Sequence, residues 1–158
     1  MLSRTASNLY WMARYVERAG NLARVMEVAD RMSLMPSTNL EGPGPGSEWH
    51  SALITSGNED GYLQKHEHIR GQQIQSYLLF DADNPSSVRS CFETARQNAR
   101  MVRSNLTTEV WESINDTWLE FSKKSATPPD GNNLRSLFDW VRAVSYTHLR
   151  AHETKANL

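Results

Sequence analysis

Residues 3–36, SRTASNLYWMARYVERAGNLARVMEVADRMSLMP, decide the fold class. Leu9, Met12, Val16, Ala19, Ala23 and Met26 recur in steps of three and four, the period of one helix face. Ser3 is a suitable N-cap and Pro36 a stop, so the pattern predicts one helix from about Ser3 to Met35. Gly20 lies inside it and weakens it by about 1 kcal/mol relative to alanine. A helix this long exceeds the usual globular range and is expected to pack against several partners.

Residues 37–47, STNLEGPGPGS, hold three glycines and two prolines and read as a loop. A short helix is expected over Glu48–Ser56, a break over Gly57–Gly61, and another helix over Gln64–Phe80 with Ile69, Ile74, Tyr77 and Leu78 inside. Asn84 followed by Pro85 reads as an N-cap and first helical position. The helix predicted from Pro85 to about Asn105 buries Val88, Cys91, Phe92, Ala95, Ala99 and Val102. After a tight connection, Thr108–Lys124 presents Val110, Trp111, Ile114, Trp118 and Phe121 on one side. Residues 125–133 form a loop, and Leu134 opens a last helix. No stretch alternates as a strand does, so the class is all-α: an antiparallel helical bundle with a long N-terminal helix.

The chain has 158 residues, 39% of them apolar and 22% charged, which suits one globular domain. Its 17 basic and 18 acidic residues nearly cancel, so no net field steers it toward nucleic acid or an anionic membrane. No apolar run approaches the about 18 residues of a membrane span. The single cysteine, Cys91, excludes an internal disulfide and a cysteine-based zinc site, and reads as a small buried hydrophobe. The expected compartment is the cytoplasm. There is no phosphate loop, dinucleotide fingerprint or serine elbow, so no cofactor is implied. His66 and His68 are two apart and would point to different faces of a helix, so no metal is expected.

Two polar stripes carry what chemistry there is. Arg14, Glu17, Arg18, Asn21 and Arg24 follow helical steps on the first helix. Arg89, Glu93, Arg96, Arg100 and Arg103 do the same on the helix after Pro85, where Arg96 and Arg100 repel unless something anionic compensates. Two readings are open. Glu109, Glu112, Asp116 and Glu120 on the next helix could pair with those arginines in an interhelical ladder. Alternatively, the guanidinium groups line a groove for a carboxylate or phosphate. Trp11 and Tyr15, four apart, could flank a ligand.

Residues 1–36 and the block DADNPSSVRSCFETARQNARMVRSNLTTEVWESIN, residues 81–115, resemble two blocks of bacterial alpha-E domain proteins. The resemblance spans about residues 1–142 and implies a single helical unit. Family members run about twice this length, so the chain is expected to be a truncated, N-terminal part of the domain. Residues 144–154, VSYTHLRAHET, resemble the conceptual translation of a sequencing adapter, so 143–158 is set apart as an artefact tail. Ser7, Gly20 and Gln97 stand where the family pattern has glutamate.

The resemblance implies an accessory or binding role in an ATP-dependent amide- or peptide-forming pathway. Its partners would be a circularly permuted ATP-grasp protein and a transglutaminase-like protease, and its ligand an anionic small molecule or peptide. The ligand-binding candidates are Arg14, Arg18, Asn21, Asn84, Arg96, Asn98, Arg100 and Arg103. The alternative is an enzyme acting on amino-acid or peptide carboxylates, with Glu17 or Glu112 as general base and arginines as anion clamps. No reaction is assigned to the domain itself. Both readings need the two stripes to meet in one polar cluster. A truncated bundle is expected to expose apolar faces and aggregate. Calorimetry and limited proteolysis of residues 1–142 check this, a broad melt and rapid digestion being the expected outcome.

Overall fold

A computed structural model describes residues 2–35, 47–126 and 131–153. Among them are seven α-helices and no strand: α1 (Leu2–Ser33), α2 (Glu48–Thr55), α3 (Glu59–Lys65), α4 (Gly71–Phe80), α5 (Val88–Met101), α6 (Thr108–Lys124) and α7 (Gly131–Glu153). A 3-10 turn at Arg103–Asn105 joins α5 to α6. The all-α class and the long first helix are as expected. The loop predicted over 37–47 lies, apart from Ser47, outside the described residues, as do 127–130 of the loop before α7.

α1 is the spine, packed against α2, α5 and α7. Met12, Val16, Ala19, Ala23 and Met26 are buried along it, as their spacing requires. The alanines let neighbouring backbones come close. At Gly20 an added Cβ would sit 2.8 Å from the Ser145 Cβ, so α7 passes directly over a position with no side chain. Neighbours run antiparallel. Asp30 meets Arg135 and Glu27 meets Arg142 across α1 and α7. Arg96 meets Asn115 and Arg103 meets Trp111 across α5 and α6.

Phe121 is the hub of the main core. Its ring contacts Phe80 of α4, Phe92 of α5 and Trp140 of α7 at centroid distances of 5.9, 5.4 and 6.4 Å. Every residue expected inside α5 is buried. A smaller cluster of Met12, Ala99 and Ile114, with Trp111 packed on it, closes the end where α1 begins and α5 ends.

Several local expectations need correction. The break expected over Gly57–Gly61 is shorter, since α3 begins at Glu59, and the helix predicted over 64–80 is interrupted at residues 66–70, so that α4 starts only at Gly71. The Tyr62 hydroxyl donates to the His68 carbonyl at 2.9 Å and accepts from the Arg70 amide at 3.5 Å, which satisfies an extended connection that helical pattern alone cannot foresee. Asn84 does not cap α5. Its amide is buried, with Nδ2 donating to the Tyr77 carbonyl and Oδ1 accepting from the Ser86 amide. Its own carbonyl accepts from the Ser87 amide at 3.1 Å, so Pro85 occupies the second place of a turn instead of the first place of a helix. Ser87 is the N-cap, its Oγ accepting from the Ser90 amide. At its other end α5 stops at Met101 instead of about Asn105, its last residues tightening into the 3-10 turn. α7 starts at Gly131, and its backbone stays helical to Glu153, across the boundary drawn at residue 143.

Phe121→Ala removes the ring that four helices share. It is expected to cost about 3–5 kcal/mol, a large part of a domain's stability, read as a fall in the urea midpoint at unchanged slope.

Candidate functional site

The polar stripe of α1 passes the end of α2 and the turn before α5, and a shallow cavity of about 230 Å³ opens there. α1 contributes Arg14, Arg18, Asn21, Leu22 and Val25. Thr55, Ser56 and Asn58 come from the end of α2. That end is shaped by Gly57, whose φ of 68° is the left-handed region that favours glycine. The Asn58 amide returns to the Leu53 carbonyl and the Gly57 amide to that of Ile54, the paired bonds of a Schellman close. Asn58 is thereby turned inward and buried. Ser86 completes the wall, held by the Asn84 turn.

The charges in this cavity are unequal. Arg14 is ion-paired with Glu17 one turn along. Asn21 Oδ1 accepts from Arg24 at 2.7 Å. Arg18 is exposed and has no hydrogen-bond or ion-pair partner among the described residues. It lies near Cys91 on α5. Burial pushes the Cys91 thiol up to about 12, and the Arg18 charge pulls the other way without prevailing. Cys91 is fully buried, with its sulfur 3.7 Å from the Ser86 carbonyl, as a small core residue.

The second stripe makes contacts of its own, within α5 and to α6. Arg96 Nε donates to Asn115 Oδ1 at 2.7 Å, and Asn115 returns to the Trp111 carbonyl. Arg103 lies over the Trp111 ring, 5.1 Å from its centroid. Asn98 donates to the Thr94 carbonyl, within its own helix. Arg100 and Glu112 are exposed and unpartnered among the described residues. Where these two helices meet along the stripe, α6 offers Arg96 and Arg103 a neutral amide and an indole, because Trp111 and Asn115 face α5 while Glu112, Asp116 and Glu120 face out. Glu120 pairs with Lys124 in its own helix.

Arg96, Arg100 and Glu112 do not line the α1 cavity, and among the described residues they share no hydrogen bond or ion pair with Arg14, Glu17 or Arg18. Asn84 spends both ends of its amide on the fold. Among the described residues, the hydrogen bonds and ion pairs of the two stripes thus form two separate groups. Thr55, Ser56 and Asn58 were not candidates, because only the Gly57 turn brings them against α1 and no local spacing encodes that approach.

Elsewhere, no buried side-chain nitrogen or oxygen among the described residues lacks a hydrogen-bond partner. Lys65 bridges Asp81 and Asp83, whose hydrogen bonds raise its pKa. His50 meets Glu59 at 2.7 Å. Among the described residues no three His, Cys, Asp or Glu side chains are grouped to hold a metal ion, and no helix is long and apolar enough to cross a membrane.

Residues 1–149 match the family model of the Alpha-E domain, described as a predicted alpha-helical domain with a conserved ER motif. The sequence contains one Glu-Arg dipeptide, Glu17–Arg18, whose arginine lines the cavity. Searches of curated proteins and of solved structures find no match.

Cys91 should resist iodoacetamide at pH 8 in the folded protein and react once in denaturant. Its raised pKa favours the folded state below the ordinary thiol range. That advantage is lost as pH rises through the range toward about 12, at about 1.4 kcal/mol per pH unit. Chemical denaturation of Cys91→Ala at pH 8 and pH 10 should show a smaller fall than the parent.

Proposed function

Because this chain belongs to the Alpha-E domain family, with the arginine of its Glu-Arg pair at a cavity, we propose that it is a helical binding module for a carboxylate-bearing ligand. It serves a bacterial, cytoplasmic, ATP-grasp-linked pathway that forms amides or peptides. The observation that carries the binding role is Arg18: a guanidinium at the cavity wall with no partner among the described residues. A carboxylate there gains two parallel charge-assisted hydrogen bonds. Asn21, Ser56 and Ser86 line the same cavity and supply neutral polar groups for the rest of such a ligand. Glu17 cancels the charge of Arg14, so the site favours a monoanion over a phosphate dianion.

Binding fits better than catalysis for a geometric reason. A general base must reach the proton it removes. Glu17 is held by Arg14, and Glu112 stands on α6 outside the cavity lining. The pathway rests on the family resemblance alone, which implies ATP-grasp and transglutaminase-like partners; ligases of that class act on carboxylates.

Titration with N-acetylglycine, followed by amide and indole NMR shifts, tests the site. Arg18→Met should weaken binding by about tenfold or more, while Glu17→Gln should leave it equal or tighter by freeing Arg14. Equal affinity in the Arg18 variant would refute the assignment. Co-purification of an ATP-grasp protein with the tagged protein from its native host tests the pathway.

A further inference from the structure

The α1 face that carries Arg18 does not end at the cavity. Trp11, Tyr15 and Arg18 follow at intervals of four and three, so they form one row. At 1.5 Å per residue, Tyr15 lies about 4.5 Å and Trp11 about 10 Å along the axis from Arg18. Tyr15 is half-buried and packed on the core, which fixes its ring. Trp11 stays 48% exposed, its centroid 6.0 Å from that of Tyr15. Tyr10 meets Trp11 edge-on at 5.3 Å and supports it from the other side. An indole left half in water beside a fixed phenol, in line with an unneutralised guanidinium, is a paired apolar and cationic surface.

We infer that this row binds the C-terminal residue of a peptide whose last side chain is aromatic or large and apolar. The α-carboxylate sits on Arg18, and the side chain lies against Tyr15 and Trp11. The spacing suits this ligand, because an aromatic ring stands a few ångströms from its own carboxylate, as Tyr15 stands from Arg18. Charge complementarity fixes the polarity: the only formal charge such a terminus brings is the carboxylate, and Arg18 is the cation in the row without a protein partner among the described residues. The next residue back points toward Asn21 and Ser86, the polar end of the cavity. The inference deepens the binding role proposed for Arg18 and rests on it.

Three probes separate the two. N-acetylphenylalanine, N-acetylglycine and N-acetylphenylalaninamide are titrated into the protein by NMR. The first should bind about tenfold tighter than the second, from the aromatic contact, and the amide should lose most of that affinity. Trp11→Ala should erase the preference for phenylalanine and leave N-acetylglycine binding unchanged. Tyr15→Leu, with circular dichroism to confirm folding, should reduce the preference in part. Equal binding of the two carboxylates overturns this inference and leaves the carboxylate site standing. Binding of neither carboxylate overturns both. A concentration-dependent dimer in sedimentation that Trp11→Ala dissolves would assign the aromatic row to a second copy and also overturn the inference.

Discussion

Everything in this molecule depends on one helix being wrapped on three sides. α1 spans Leu2–Ser33 and touches α2, α5 and α7. A face of alanines and one glycine allows that crowding, since larger side chains would hold the neighbours apart. Once those neighbours are seated, the 3.6-residue period leaves little choice about the remainder. Residues 11, 14, 18 and 21 must then lie on a flank that the bundle leaves exposed, with Tyr15 half-buried at its edge. The candidate site is thus a consequence of packing on the opposite flank.

The same helix uses its charges in two ways. In its C-terminal half, Glu27 and Asp30 are drawn largely out of water and accept from Arg142 and Arg135 of α7. Glu27 also accepts from Arg31. Carboxylates this sheltered hold their partners in register, because removing one arginine would strand a desolvated charge. In the N-terminal half, ion pairing stays within the helix and on the surface, where it is worth only a few tenths of a kcal/mol. A ligand competes easily with bonds that weak. The division of labour follows burial, and burial follows from where α7 lies.

What could be read in the sequence was what repeats locally. The faces of α5 and α6 were legible because Val88, Phe92, Ala95 and Ala99, or Ile114 and Phe121, recur at helical spacing. The bounds of α6 were legible because Thr107 caps it, accepting from the Val110 amide. The breaks were not. Residues 66–70 leave the helix where the Tyr62 phenol reaches forward to the His68 carbonyl and the Arg70 amide, and Asn84 makes a turn where its amide finds Tyr77. Both are matches of a side chain to backbone groups six to eight residues away, which helical periodicity does not encode. The same limit applied to the site: the α1 stripe was visible as a stripe, but its opposite wall at Ser56 and Asn58 was not. The stripe on α5 looked like half of a salt ladder, and a neutral asparagine and an indole took the places assumed for acids.

The three positions where the resemblance implies glutamate are unequal. Ser7 and Gln97 are exposed, so an acid at either would be solvated and would cost little to gain or lose. Gly20 is buried against Ser145, where even a Cβ collides. A glutamate at 20 would therefore point between α1 and α7, away from the flank that carries Arg18, and could not neutralise it. Ser7 shares the flank, but it precedes Trp11 by one turn and Arg18 by three. The acid beside Arg18 in sequence, Glu17, is turned to Arg14. The unneutralised charge at Arg18 thus follows from which way each acid faces, and it persists whichever residues occupy positions 7 and 97.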